Sequence, residues 1–188
     1  MTLAELHFDI ENVNHSKASR AKAVDLVIHN LEILPELIEK AFSDDKNHFK
    51  YCWWLEFLNR QYVEVLCPYM DTILDQAQYL TDQSAIRPIA RIIETYCLNY
   101  YSKASHESVK NMMTNSIKEL MVARSFGWLI DDQLKVAPRA YSMISLYHLG
   151  KDVSWVHAEL QLVIEQNYTN ESAAYKARGR MVLKKLKG

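Results

Sequence analysis

Residues 85–96 read AIRPIARIIETY, and they lie within the clearest helical pattern of the chain. Apolar side chains recur there every three or four residues, which places them on one face of an α-helix. Thr81, Asp82 or Ser84 is available to cap the start of this helix. The side chains on the shared face are those of Ile86, Ile89, Ala90, Ile93, Tyr96, Cys97 and Tyr100.

This helical stretch has a loose counterpart earlier in the chain. Residues 47–58 (NHFKYCWWLEFL) align with residues 85–96 at an offset of 38, and the alignment places Glu56 on Glu94. Self-similarity at a fixed spacing of this size is typical of proteins built from stacked helical units.

A second pair of segments repeats at nearly the same spacing. Residues 137–146 (APRAYSMISL) align with residues 174–183 (AYKARGRMVL) at an offset of 37, which places Arg139 on Lys176. Between the two pairs the spacing is longer, because Arg87 and Arg139 are 52 residues apart. We therefore predict a stack of helical hairpins with an irregular insertion near residues 102–108.

The apolar spacing along the whole chain predicts an all-α protein of about ten helices. Strand-like alternation and low-complexity linkers are missing from the sequence, so we expect one domain over residues 1–188. Asp152 and Ser154 are candidate caps for the helix after Gly150. The predicted helices are 2–13, 17–30, 31–42, 46–60, 62–80, 84–101, 107–131, 136–148, 153–167 and 171–187.

Composition excludes several classes of protein. The first glycine is Gly127, so most of the chain lacks the usual residue of phosphate-binding loops, which argues against Rossmann and P-loop folds. Cys52, Cys67 and Cys97 form no CxxC pair and lie in apolar runs, as expected of buried thiols in a reducing cytoplasm. Neither a signal peptide nor a stretch of membrane-spanning length is recognisable, so we expect a cytoplasmic protein without membrane contact.

Charge is unevenly distributed along the chain. The formal net charge is −1, yet residues 172–188 carry six basic residues and no acidic one. This segment is either a solvated last helix that meets acidic neighbours or an anion-binding end of the stack.

Basic residues also occur near corresponding positions of the predicted repeats. Equivalent positions of a repeat stack line one surface, so these side chains are candidates for a basic concave face that binds a protein or a nucleic acid. The alternative is that they form ion pairs with acids on neighbouring helices, and Glu94 shares a side of its helix with Arg91. The residues are Lys50, Arg87, Arg91, Arg139, Lys176 and Arg180.

Aromatic and catalytic candidates are fewer. Adjacent tryptophans on a helix point about 100° apart, so we expect Trp54 in the core and consider Trp53 a possible stacking surface. The seven histidines form no HExxH motif and have no cysteine at metal-ligand spacing. No nucleophile motif is present, so we predict no catalytic residue, metal or cofactor.

The segments SAIRPIARIIE, APRAYSMISLYHLGK and SAAYKARGRMVLKKL resemble HEAT-type repeats. Over nearly its whole length the chain resembles a group of small bacterial helical proteins, some of which carry the label adenylosuccinate lyase. The resemblance implies a right-handed α-α superhelix of stacked hairpins. The serine-rich SSxMPxKxNP loop of true lyases is missing from the sequence, so a lyase activity is the function least expected.

HEAT-like repeats also build alkylpurine DNA glycosylases, and the chain resembles these enzymes in its basic second helices and aromatic content. That resemblance implies nucleic-acid binding as an alternative function. The first expectation is a non-enzymatic scaffold that binds a protein or other macromolecule through the basic face.

Overall fold

The computed structural model describes residues 24–25 and 27–187, together with Asn12. These residues form nine α-helices and no β-strand. Short 3₁₀ segments adjoin several of them, at Leu31–Ile33, Cys67–Tyr69, Ala77–Tyr79 and Tyr168–Asn170. The helices are α1 (Leu34–Ala41), α2 (His48–Gln61), α3 (Met70–Gln76), α4 (Gln83–Tyr100), α5 (Glu107–Met112), α6 (Asn115–Ile130), α7 (Val136–Leu149), α8 (Val156–Asn167) and α9 (Ala173–Leu186).

Helix α4 forms as its sequence predicts. Asp82 caps it, because the carboxylate accepts a hydrogen bond from the Ser84 amide at 2.7 Å. Its predicted apolar face is buried, including Ile86, Ile89 and Ile93. Burying an isoleucine side chain contributes roughly 2 kcal/mol, so this face holds the helix in the core.

Four helices pack side by side in the order α2, α4, α7 and α9, which we call the central row. The two predicted repeat pairs are neighbours in it, since α2 packs on α4 and α7 packs on α9. Helix α1 packs on α2, α3 packs on α6, and both α6 and α8 pack on α7. All four helices of the central row match their predicted bounds to within two residues.

Two predicted helices are divided in the structure. The segment 62–80 contains a turn, two 3₁₀ segments and the short α3. Pro68 lies in the first 3₁₀ segment and has no amide hydrogen to donate, which disfavours a continuous helix through that point. The segment 107–131 is split into α5 and α6. Thr114 is extended there, and its hydroxyl caps α6 by accepting from the Ile117 amide at 3.3 Å.

Two further predictions concern the amino-terminal part of the chain. The predicted helix 2–13 lies outside the described residues apart from Asn12, and so does most of the predicted helix 17–30. Val24 and Val27, which are described, are buried.

Among the described residues, none of the helices combines the length and the apolar character needed to cross a membrane.

Candidate functional site

The six basic residues singled out from the sequence lie on the four helices of the central row. Lys50 is half-buried in the first turn of α2. Arg87 and Arg91 are on α4, Arg139 is on α7, and Lys176 and Arg180 are on α9. Their side chains nevertheless have different environments, and these differences decide what each residue can bind.

Arg87 joins α4 to α2 through an ion pair. Its Nη2 donates to Oε2 of Glu56 at 3.0 Å. The Glu56 side chain is 4% exposed, whereas that of Arg87 is 36% exposed. Burial raises the pKa of Glu56, and the nearby Arg87 and Arg60 only partly offset this effect. The buried carboxylate therefore holds an arginine whose outer edge still faces solvent.

Arg91 repeats this arrangement one turn along α4. It pairs with Glu94 on its own helix, and its guanidinium carbon lies 5.0 Å from the ring centroid of Tyr141 on α7. The Glu94 side chain is 3% exposed and that of Arg91 is 31% exposed. Burial again raises the pKa of the glutamate, with Arg91 opposing the shift.

Arg139 is buried rather than exposed on a groove. Its side chain is 4% exposed, and its Nε donates to the Leu129 carbonyl at 3.2 Å. The guanidinium is in ion-pair contact with Glu171 without hydrogen-bond alignment and lies 4.6 Å from the Tyr175 ring centroid. These contacts tie α7 to α6 and α9, so Arg139 fits the ion-pair alternative that the sequence left open.

The two basic residues predicted on α9 lie next to the 3₁₀ turn that precedes this helix. Lys176 donates from Nζ to the Thr169 carbonyl at 2.9 Å, and Arg180 donates from Nε to the Tyr168 hydroxyl at 3.4 Å. Arg178, which the sequence analysis did not select, is the α9 arginine whose charge acts on Glu94. The repeat offset of 37 would have identified it, since it aligns Arg178 with Tyr141, the ring beneath Arg91.

Trp53 has a structural contact at the start of α4. Its Nε1 donates to the Ser84 carbonyl at 3.0 Å. Pro88 has no amide hydrogen to give that carbonyl, so the indole takes the place of a missing helix hydrogen bond. Trp53 also packs edge to face on Phe49 with ring centroids 5.0 Å apart. Trp54 is buried, which confirms its predicted place in the core.

Apolar side chains accompany the arginines on the central row. Leu98 follows Arg91 by seven residues and Glu94 by four, so helical spacing places it on their side of α4. Met181 is likewise three residues after Arg178 on α9. Leu98 is 44% exposed and Met181 is 37% exposed. We call Arg87, Arg91, Arg178, Leu98 and Met181 the mixed face.

A polar network that sequence analysis missed lies at the carboxyl end of α4. Lys118 donates from Nζ to Asp152 at 2.6 Å and to the Tyr100 hydroxyl at 3.1 Å. The Tyr101 hydroxyl donates to the same Asp152 oxygen at 2.8 Å. The prediction of Asp152 as a cap for α8 is therefore wrong: α8 begins at Val156, and no side-chain hydrogen bond caps it.

In the described part of the chain, two surface depressions lie away from the arginine–glutamate pairs. One, of about 430 Å³, is lined by the loops before α2 and α4, including Asp44, Asp45 and Asp82. The other, of about 330 Å³, is lined by residues such as Arg124 and Gly127 of α6. Within the described ranges, no group of three His, Cys, Asp or Glu residues is placed to hold a metal ion.

No protein-family model matches this chain, and no curated protein or solved structure shows significant similarity to it.

Proposed function

We propose that this protein is a non-enzymatic helical-repeat module that binds a partner protein through the mixed face of the central row. We further propose that its helices form a right-handed superhelix of HEAT-like hairpins, which the packing of α2 on α4 and of α7 on α9 supports. The observation that carries the function is the pair of fixed, partly exposed arginines, Arg87 and Arg91, each held by a buried glutamate.

The balance of charge favours a protein partner over a nucleic acid. Electrostatic binding to nucleic acid depends on cations that neutralise phosphates and release counterions. On the central row Glu56, Glu94 and Glu171 already offset Arg87, Arg91 and Arg139. Each pair is formally neutral, so the positive potential of this surface is lower than the number of its basic residues suggests.

The chemistry of the mixed face indicates what kind of segment it would bind. A guanidinium has five donors, and a carboxylate can accept two of them side by side. Arg87 and Arg91 are fixed by their glutamates, which lowers the entropy lost on binding. Leu98 and Met181 add apolar area, and protein interfaces combine arginine with such side chains. We therefore expect a partner segment with carboxylates next to an apolar residue.

The state of the cysteines fits the cytoplasmic location that we propose. Cys52, Cys67 and Cys97 are all unpaired. Burial raises the pKa of Cys97 to about 12, so its thiol is not ionised at neutral pH. We assign no catalytic residue, and free thiols fit a reducing compartment.

The proposal is tested by comparing the proteins retained from a lysate of the producing organism by the wild type and by face variants. Leu98→Ser with Met181→Ser removes the apolar part, and Arg87→Lys with Arg91→Lys keeps the charge but removes the planar guanidinium groups. Leu31→Ser with Leu162→Ser changes two exposed leucines outside the row and serves as the control. One protein lost from both face variants and kept by the control is the expected result.

Two results would contradict the proposal. The first is a set of retained proteins that is the same for all variants. The second is binding to labelled DNA or RNA that weakens steeply with salt and survives Arg87→Lys with Arg91→Lys, because phosphate neutralisation depends on charge more than on guanidinium shape. That second result would support the nucleic-acid alternative.

A further inference from the structure

A second group of basic residues surrounds two tyrosine rings near the carboxyl ends of α4 and α7. The Lys151 Nζ lies 5.0 Å from the ring centroid of Tyr101 and 5.6 Å from that of Tyr147. The Lys185 Nζ lies 5.2 Å from the same Tyr147 centroid. Two ammonium groups from different parts of the chain are therefore held next to one ring. We call Lys118, Lys151, Lys185, Tyr101 and Tyr147 the lysine–tyrosine cluster.

The positive charge of this cluster is only partly balanced by a carboxylate. In the part of the chain that is described, neither Lys151 nor Lys185 has a carboxylate within ion-pair distance. Asp152, which lies beside the cluster, already accepts from Lys118 and Tyr101. Three lysines and one aspartate leave a formal charge of +2.

The rings hold the lysines without neutralising them. A cation over an aromatic face is attracted by the ring quadrupole, yet it keeps its charge and its N–H donors. His157 stacks on Tyr147 with centroids 5.8 Å apart, and its Nε2 donates to the Tyr147 carbonyl at 2.8 Å. The platform beneath the lysines is thus fixed by its own packing.

His148 reports the same excess of positive charge. It stacks on Tyr101 with ring centroids 5.5 Å apart, and its buried Nδ1 has no hydrogen-bond partner among the described residues. Burial lowers the pKa of His148 to about 4, and Lys151 and Lys185 contribute to the shift. The imidazole is therefore neutral at pH 7, so it adds no charge to the cluster.

We infer that the lysine–tyrosine cluster binds a phosphate monoester, with the Lys151 and Lys185 ammonium groups as its direct ligands. A phosphate monoester carries a charge of about −1.5 to −2 at pH 7, which matches the formal charge of +2, whereas a single carboxylate would offset only half of it. Lys118, Asp152 and Tyr101 position the surface on which the phosphate rests. The site is distinct from the mixed face and does not depend on the function proposed for it.

The test is a titration of the full chain with inorganic phosphate, monitored through the NMR signals of the His148 ring. We expect saturable shifts at pH 7 and a rise in the His148 pKa, because a bound phosphate, which is a monoanion near pH 4, still offsets part of the lysine charge that helps to lower this pKa. Lys151→Gln with Lys185→Gln should weaken binding about tenfold or more, because the variant loses both charged hydrogen-bond donors to the phosphate. The melting temperature of each variant checks that it is folded.

A matched control removes the same charge from two other lysines. Lys135 precedes α7 and Lys184 adjoins Lys185 on α9, and both are exposed. Lys135→Gln with Lys184→Gln should leave phosphate binding unchanged. Equal weakening by the two double variants, or no saturable shift at all, would overturn the inference. So would acetate binding as tightly as phosphate, because the site would then lack a preference for a dianion.

The source of the phosphate is settled by a second probe. A phosphoserine peptide that binds at least tenfold more tightly than inorganic phosphate, with the same dependence on Lys151 and Lys185, identifies a phosphorylated protein segment as the source. Equal affinities identify a small phosphorylated molecule. Binding of the unphosphorylated peptide with equal affinity would contradict the assignment of the site to phosphate.

Discussion

The arginines of the central row and the lysines near the carboxyl ends of α4 and α7 are both basic groups, but their charges are balanced differently. Arg87, Arg91 and Arg139 each pair with a glutamate. Lys151 and Lys185 rest against tyrosine rings instead. The comparison shows that the number of basic side chains on a surface does not give its positive potential, which depends on where the acids are buried.

This difference also separates rigidity from attraction. Buried carboxylates fix the arginines and cancel their charge, which suits recognition by shape and by directed hydrogen bonds. Aromatic rings place the lysines and leave their charge intact, which suits attraction of an anion. Substitutions of the paired arginines should therefore affect stability more than attraction of an anion. Substitutions of the lysines should weaken anion binding more than they affect stability.

Arg139 should show the largest effect on stability. Arg139→Gln leaves Glu171 without its cation and the Leu129 carbonyl without its donor, so we expect the free energy of unfolding to fall by about 4 kcal/mol. Urea denaturation followed by circular dichroism measures the loss. Arg180→Gln is the control, and because its side chain is exposed it should change stability by less than about 0.5 kcal/mol. Similar losses for the two variants would show that Arg139 is not a buried structural residue.

The Arg91–Glu94 pair should respond unequally to removal of its two partners. Arg91→Gln leaves a buried carboxylate without its cation and should cost about 2 kcal/mol near pH 7. Glu94→Gln leaves an arginine that water can reach, so it should cost less than about 1 kcal/mol. Chemical denaturation of both variants checks the order. A greater loss of stability for Glu94→Gln would contradict this order. It would mean that the attraction between the two charges outweighs the cost of burying the glutamate.

The same pair gives a pH dependence with a defined sign. Because the pKa of Glu94 is raised in the folded state, the folded protein binds this proton more tightly than the unfolded chain does. The contribution of Glu94 to stability is therefore largest below its unfolded pKa and is lost as the pH rises through its folded pKa. The loss of unfolding free energy in Arg91→Gln relative to the wild type should therefore grow as the pH rises. In Glu94→Gln, the part of the pH dependence of stability that is due to Glu94 should be absent.

The central row was predictable from local sequence because its signals are local. The Ile86 and Ile89 spacing and the Asp82 cap define α4 without reference to any other helix. The prediction of one helix over 62–80 missed the break at Pro68, although the effect of proline on the backbone is also local. The bounds of a helix were therefore predictable wherever a capping residue or an apolar face marked them clearly.

The environments of the basic residues were not predictable in the same way. Arg139 is buried because Tyr175 of α9 and Glu171, just before α9, approach it, and the sequence alone cannot place one helix against another. Aspartate is a common helix cap, yet the carboxylate of Asp152 accepts from Lys118, which lies 34 residues earlier in the chain. Pairing between distant side chains decides these cases, so the repeat offset identified candidate positions but not their exposure.

The turn that carries Lys151 and Asp152 gives the last comparison, between two glycines. A Cβ added at Gly150 would lie 2.0 Å from Cδ2 of His157, whereas one added at Gly127 would meet nothing within 4 Å. The His157 ring cannot easily move, because it stacks on Tyr147 and lies within hydrogen-bond distance of the Tyr147 carbonyl. We expect Gly150→Ala to cost about 1.5 kcal/mol through overpacking and Gly127→Ala to stabilise α6 by about 0.5 kcal/mol.

A double variant distinguishes this clash from a general intolerance of the turn. Gly150 has helical backbone with φ of −64°, so alanine introduces no backbone strain there. If His157 is the obstacle, Gly150→Ala should cost nothing further when it is added to His157→Ala, and the two free-energy changes will not be additive. Additive losses in urea denaturation would contradict that contact. Gly150→Ala should also weaken phosphate binding, because displacement of His157 disturbs the Tyr147 ring on which Lys151 and Lys185 rest.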